Sequence, residues 1–306
     1  MGGFLITGAS GYLGARIGQD LIRLGHKVVG LGRRKDPGPL SFEYRSVDLG
    51  NEEQIQEISS LVAEFGVDTV IHLASLDQKS SSSLVDEVFR VNVLGTQHLL
   101  HALGESPEVD LFFFSTIHSY GPVLGKITEE SPTKPIKEYG LTHLMSETLL
   151  NFDRSKVTGR RVNLRLSNGY GWSPVMNDQA KRLVVNDLCR QAIEEGRLDL
   201  LSDGSPVLDF IYVGDLAPLL LKLKKGNREV NTALVTSGVG VSLYELAITI
   251  ADEAGQLLGK TLRVQRGGVD LAEPIAAKVG VFHSCLGEGL HRPLREGIRA
   301  TLEDFR

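Results

Sequence analysis

This chain of 306 residues has only two cysteines, one tryptophan and three methionines. Cys189 and Cys285 stand far apart without metal-ligand spacing, which argues against a disulfide framework and against a zinc site. They read as buried or incidental thiols of a reducing compartment, so the cytoplasm is the expected location. No apolar run approaches the roughly 18 residues of a membrane span, and no basic stretch precedes an apolar one at the N-terminus. The formal charge of −5 leaves no basic stripe, so nucleic acid is not an expected partner. His98 and His101 are three apart on a helix, but no cysteine or carboxylate completes a ligand set, and no metal is expected. The absence of a Gly-x-Ser-x-Gly elbow disfavours acyl-transfer chemistry. What is present, 42% hydrophobic and 23% charged residues, is ordinary for a globular chain with one large α/β domain and a smaller partner.

The N-terminus carries the strongest signal. Phe4-Leu5-Ile6-Thr7 runs directly into Gly8-Ala9-Ser10-Gly11-Tyr12-Leu13-Gly14, and an apolar-periodic segment follows. A strand, a tight turn and a helix start in this order aim backbone N–H groups and the positive helix end at a pyrophosphate. Gly8 would permit the turn, Gly11 a close approach of phosphate, and Gly14 tight packing of helix on strand. Beyond it, strands expected at Lys27–Leu31, Glu43–Val47, Asp68–Leu73, Asp110–Phe114 and Arg161–Leu166 alternate with helices at Glu52–Phe65, Leu84–Leu103 and Tyr139–Ser155. This alternation predicts a Rossmann-type doubly wound parallel sheet. Residues 1–170 are expected to form the dinucleotide-binding domain. Residues 171–306 are expected to form mainly a substrate-binding lobe interleaved with the sheet, with helices near Ala180–Glu195, Asp215–Lys224, Leu243–Ala254 and Leu294–Phe305. Ser80–Ser83 is expected to cap the helix after it.

Thr-Gly-x-x-Gly-x-x-Gly in this position resembles the extended short-chain dehydrogenase/reductases, the family of nucleotide-sugar epimerases and dehydratases. The resemblance implies a nicotinamide cofactor contacted at Gly8, Ser10, Gly11, Tyr12, Leu13 and Gly14. It also implies contacts from Asp48 and Leu49 at the adenine, from Leu73, Ala74 and Ser75 along the diphosphate and nicotinamide ribose, and a steadying role for Asn92. The second strand ends without a carboxylate and continues into Arg33-Arg34-Lys35. Cations there suit a ribose phosphate, so Arg33 and Arg34 favour NADP(H) over NAD(H).

In this family a Ser/Thr, a Tyr and a Lys carry the chemistry, the last two spaced four apart on one helix face. Thr116 matches the first, with Ser115 beside it as an alternative, and Tyr139 matches the second. His143 stands where the lysine belongs. A neutral imidazole supplies less charge than an ammonium but still offers one hydrogen bond. His143 reads as a working substitute, as a sign of an easy reduction, or as a mark of a degenerate site. On the substrate side Asn168 matches a diphosphate contact. The segment normally opening Arg-Asp-Phe begins Leu208-Asp209-Phe210, so either Lys181, Arg182 or Arg266 supplies the cation or the substrate lacks a diphosphate there. The pattern near Arg266-Gly267-Gly268-Val269-Asp270 is loosely matched.

The expected activity is hydride transfer between nicotinamide and a sugar that is nucleotide-activated, ending in epimerisation, dehydration or reduction, with Tyr139 as acid and base. The alternatives are a one-way NADPH-dependent ketoreductase and a dinucleotide-binding sensor or scaffold. A homodimer is what the resemblance implies.

Overall fold

The computed structural model describes residues 2–76, 85–104, 108–122, 125–152, 159–226, 230–267, 280–282, 284, 286 and 291–306. The expected cap at Ser80–Ser83, the Val269-Asp270 pair and Cys285 lie outside them. The chain opens with Gly3–Thr7 (β1), Tyr12–Arg23 (α1), Lys27–Gly32 (β2), Glu43–Ser46 (β3), Gln56–Phe65 (α2) and Val67–His72 (β4). Val85–Phe89 (α3), a π-helical turn at Arg90–Leu94 and Gly95–Leu103 (α4) replace the single helix expected over 84–103. Next come Asp110–Thr116 (β5), Gly125–Ile127 (β6), Glu138–Phe152 (α5), Arg161–Leu166 (β7) and Asn168–Tyr170 (β8). Asp178–Lys181 (α6) and Val184–Glu194 (α7) divide a second helix that the sequence pattern shows as one, and Arg197–Leu200 (β9) follows. The remainder is Val207–Tyr212 (β10), Leu216–Lys225 (α8), Thr232–Val235 (β11), Gly240–Ser242 (β12), Leu243–Leu258 (α9), Arg263–Arg266 (β13), Gly280–Phe282 (β14) and Leu294–Phe305 (α10).

Two compact units result. The first comprises Met1–Pro122, Ser131–Leu166 and Ala217–Ala233, and the second Val123–Glu130, Ser167–Leu216 and Leu234–Arg306. The large sheet has the order β11-β7-β5-β4-β1-β2-β3. Pairings β1–β2, β1–β4, β2–β3, β4–β5 and β5–β7 are all parallel, as expected of a doubly wound fold. The order reverses across β1, so β1 and β4 flank the switch point where such sheets take their ligands. Every residue of β1 is buried, and Leu5, Ile6, Val29, Val70 and Ile71 are sealed from solvent. Strands covered on both faces need such unbroken apolar runs, which is why the sequence shows runs there instead of alternation. The helix α1 turns Ala15, Ile17, Gly18 and Leu21 inward.

The second unit holds the three-stranded β12-β10-β8 sheet and the pairs β13–β9 and β14–β6. Its core gathers Leu188, Cys189, Phe210, Tyr212, Leu246, Ile250, Ile298 and Leu302. Cys189 is fully buried, and burial pushes its thiol up, so it behaves as a small inert hydrophobe. The helix α9 starts at a reciprocal cap: Ser242 Oγ accepts from the Glu245 amide, and Glu245 Oε2 accepts from the Ser242 amide. Among the described residues no helix is long and apolar enough to cross a membrane.

Candidate active site

At the end of β1 the chain turns at Gly8, whose φ of +69° excludes most side chains. Gly11 N–H bonds Gly8 O at 2.9 Å, and Ala15 N–H bonds Gly11 O at 3.0 Å, opening α1. A Cβ on Gly14 would come within 2.4 Å of Gly8 O, so this helix can pack against the turn only because Gly14 has none. No side chain caps the helix at Gly11, and no acidic residue stands in its first turn. Tyr12 and Leu13 lie half-buried in that turn, and Ser10 is buried beside it. A bare, positive helix end of this kind fits the diphosphate of a dinucleotide.

The loop after β4 is fixed by a buried hydrogen-bond chain. Thr7 Oγ1 accepts from the Leu73 and Ala74 amides at 3.2 Å each, so its own proton goes to His72 Nδ1 at 2.6 Å. The Thr96 hydroxyl donates to Asn92 O at 2.6 Å, so it accepts from His72 Nε2 at 2.9 Å. These directions define one neutral tautomer. Burial pushes His72 down to about 3, and charge on His143 would push it the same way. Asn92 sits in the π-helical turn. Its Oδ1 accepts from Leu76 N–H at 2.7 Å, and its Nδ2 donates to Leu76 O at 3.1 Å and to Thr142 Oγ1 at 3.0 Å. The Asn92 amide is thus bonded to the protein and shapes the Leu73–Leu76 segment, in keeping with the steadying role expected of it. Leu73 and Ala74 are half-buried and Ser75 is exposed.

The adenosine end differs from expectation too. Arg33 Nη1 lies 2.6 Å from Glu87 Oε1, so one of the expected phosphate cations is already paired. Glu87 is also 3.6 Å from Arg90, which reaches Asp48 Oδ2 at 3.1 Å. Asp48 Oδ1 accepts from Gly50 N–H, and the Leu49 side chain is in the core while its carbonyl accepts from His98 Nδ1. His98 thus has a backbone partner, and no metal-holding cluster occurs among the described residues. Arg34 and Lys35 remain exposed.

At the end of β5 the two hydroxyl candidates separate. Ser115 donates to Glu147, whose carboxylate is buried and held by Arg165 at 2.6 and 3.0 Å. Arg165 also donates to Tyr120 Oη at 2.7 Å. Burial opposes the Arg165 charge, but the Glu147 carboxylate and Tyr120 outweigh it and raise Arg165 above the ordinary arginine value. Ser115, the alternative to Thr116, is thus joined to this ionic cluster. Among the described residues the Thr116 hydroxyl accepts the His118 amide, at 3.2 Å, and donates to no other group.

Tyr139 is half-buried at the start of α5. Its ring lies 4.3 Å from the His143 ring and 5.9 Å from that of His118. A Cβ on Gly140 would stand 2.5 Å from His118 O, so backbone contact brings the start of α5 to the turn that follows Thr116. His143 is only 2% exposed and stacks on Phe113. Its Nδ1 is 2.8 Å from Tyr139 O. A carbonyl only accepts, so Nδ1 carries a proton, and in the neutral ring Nε2 accepts instead of donating. The one hydrogen bond expected of a neutral imidazole is thus given within its own helix.

In the second unit Asn168 Nδ2 donates to Asp209 O at 2.8 Å. The buried Asp209 carboxylate accepts from Ser167, Thr236 and Ser237. Leu208 packs on the apolar core there. Lys181 and Arg182 are exposed at the end of α6, and Arg266 lies 4.3 Å over the Tyr244 ring. The Asp209 cluster and the Thr7–His72–Thr96 chain were invisible in the sequence, because their members are joined only by folding; His72 and Thr7 are 65 residues apart.

The model of the NAD dependent epimerase/dehydratase family matches residues 4–233. The chain belongs to this family. It is 27% identical over 285 residues to a UDP-glucose 4-epimerase of Streptomyces lividans, covering 87% of this chain and 85% of that one. It is 26% identical over 259 residues to a dTDP-4-dehydro-6-deoxyglucose reductase of Escherichia coli, covering 81% and 80%. The solved structure of MoeE5 in complex with UDP-glucuronic acid and NAD superposes with a TM-score of 0.76 at 26% identity, covering 99% of this chain and 98% of that one. Membership in the family agrees with the parallel sheet and the uncapped α1 terminus. The expected preference for NADP(H) gains no support from it, since that neighbour holds NAD.

Proposed function

We propose that this chain is a nicotinamide-dependent enzyme of nucleotide-sugar metabolism, with Tyr139 as its acid and base. The observation that carries the reading is the placement of Tyr139 beside the Thr116 turn, in the same unit as the bare N-terminus of α1. The relatives act on UDP- and dTDP-linked sugars by name, and they supply the substrate class. Bound on the α1 terminus, the dinucleotide supplies two-electron oxidation and reduction at one carbinol carbon. Thr116 donates its free proton to the sugar oxygen and orients it, and Tyr139 takes or returns that oxygen's proton. His143 holds Tyr139 in place through its ring contact and its bond to the Tyr139 carbonyl, and offers Nε2 to a ribose hydroxyl. In the second unit Asn168, Lys181, Arg182 and Arg266 remain the proposed substrate contacts. Leu208 gives no cation to a diphosphate, so a sugar nucleotide would have to be held by Lys181, Arg182 and Arg266.

Two cofactor forms have support. The exposed Arg34 and Lys35 favour NADP(H), whereas the pairing of Arg33 with Glu87 and the NAD in the MoeE5 structure favour NAD(H). The test of the reaction is incubation with UDP-glucose, UDP-glucuronic acid or a dTDP-keto-sugar and each dinucleotide, with products resolved by mass spectrometry. Isomerised sugar without net cofactor use identifies an epimerase, and stoichiometric consumption of reduced dinucleotide a reductase. In either case Tyr139→Phe is expected to lower kcat about 10²- to 10⁴-fold with dinucleotide affinity unchanged. Dinucleotide binding with no turnover of any of these sugars would instead support the sensor reading.

A homodimer belongs to the same proposal. Leu141, Met145 and Phe152 are exposed by 40, 37 and 86% on α5, and at steps of four and seven they share one helix face. Met145→Glu is expected to shift sedimentation from dimer to monomer. A wild-type chain that sediments as a monomer would end this part of the reading.

A further inference from the structure

The dinucleotide-binding sheet normally ends its second strand in a carboxylate that receives the ribose hydroxyls of NAD, or in an arginine that receives the 2′-phosphate of NADP. Here β2 ends in Gly32, and the next residues are Arg33, Arg34 and Lys35. Read from sequence, that tip is strongly positive. The folded chain changes its charge. Glu87, 54 residues away on α3, brings its Oε1 to 2.6 Å from Arg33 Nη1. The same oxygen is 3.6 Å from Arg90 Nη2, and Arg90 Nη1 reaches Asp48 Oδ2 at 3.1 Å. Asp48 is itself fixed, with Oδ1 on the Gly50 amide and its own amide on Gln54 Oε1. Arg33, Glu87, Arg90 and Asp48 therefore form one chain of alternating charge across the segments that follow β2 and β3, with no net charge.

We propose that Glu87 sets the cofactor preference: it occupies Arg33 and supplies the carboxylate that the tip of β2 lacks, so that the chain takes NAD(H) ahead of NADP(H). The inference rests on the dinucleotide reading above and adds the residue that selects between its two forms. A 2′-phosphate approaching this end would compete with Glu87 for Arg33 and be repelled by the same carboxylate. Ribose hydroxyls, which donate, would find an acceptor there. Asp48 already carries Arg90 on Oδ2 and the Gly50 amide on Oδ1, whereas Glu87 stands beside Arg33 itself.

The test is direct binding, independent of any substrate. Dissociation constants of NAD⁺ and NADP⁺ are measured calorimetrically at one low ionic strength, because half-exposed ion pairs are screened by salt. In the unaltered chain NAD⁺ is expected to bind more tightly. Glu87→Gln, which keeps the shape and removes the charge, is expected to move the ratio of the two constants about tenfold toward NADP⁺. Adding Arg33→Met to that variant is expected to reverse the move. A ratio that stays within about twofold in Glu87→Gln, or a wild-type preference for NADP⁺, overturns the assignment to Glu87. Failure of the unaltered chain to bind either dinucleotide is a different result: it removes the cofactor reading itself.

Discussion

The two units solve the same problem, polar groups out of water, with different chemistry. The first unit surrounds its reactive end mostly with neutral groups: Thr7, His72, Thr96, Ser146, Asn92 and Thr142 are bonded to one another and to backbone. Among the described residues its most deeply buried ion pair, Glu147 with Arg165, is joined by Ser115 and Tyr120. The second unit relies on carboxylates. Asp209 is satisfied by three hydroxyls and an amide, Asp215 by the amide and guanidinium of Arg292, and Glu253 by Arg295 and Arg299. A neutral network fixes geometry without creating a field, which suits a region that must receive a charged ligand. Charged anchors suit a scaffold whose task is to hold α10 against α9. The units should therefore differ both in what a ligand feels and in how acid undoes them.

The largest expected effect tests the first half of that contrast. Gly14→Val puts methyl groups against Gly8 O and Ala9, already within 2.4 and 2.7 Å of a bare Cβ. Dinucleotide affinity is expected to fall at least about a hundredfold while the far-ultraviolet circular dichroism of the chain persists, which calorimetry and spectroscopy on one sample would show. Retained affinity would mean that the diphosphate does not use this turn.

Acid unfolding sharpens the second half. His72 is held near 3 by burial against an ordinary value of 6.5. The unfolded chain therefore binds a proton that the native ring refuses, and stability is lost progressively as pH falls from about 6.5 toward 3. The cost reaches about 5 kcal/mol at the acid limit. His72→Gln is expected to flatten that part of the pH dependence. Glu253 is the opposite case: although burial opposes its charge, Arg299 and Arg295 hold its carboxyl below the usual value. Its contribution is intact above about 4.5 and disappears only as pH falls through the lowered value. Glu253→Gln is expected to cost about 1 kcal/mol at neutral pH, discounted because both arginines are more than half exposed, and to change nothing between pH 6.5 and 5. Denaturant midpoints across pH for both variants check the pair. Identical pH profiles for the two would erase the distinction between the units.

What could be read from the sequence follows the reach of each interaction. The turn at Gly8–Gly14 was legible because strand, turn and helix start are contiguous. Tyr139 and His143 were legible as a pair because four residues are one helical turn. The break of the helix over 84–103 was not legible: the periodicity is nearly unaltered by the π-helical turn, in which Asn92 bonds Leu76 outside the helix. The strands β8 and β12, three residues each, are too short to show alternation. Arg33 looked free because Glu87 is 54 residues away, and Ser115 looked available because Glu147 is 32 residues away. The spacing set His143 one helical turn after Tyr139, but its tautomer depends on a carbonyl that only the folded helix presents.

The path of the backbone has a consequence for how such a protein can change over time. It crosses between the units after Pro122, Glu130, Leu166, Leu216 and Ala233. A gene cut near codon 170 would strip the first unit of Ala217–Ala233, with most of α8 and the first half of β11. Neither unit can be exchanged by a single recombination event, because each is assembled from three separate stretches of the chain.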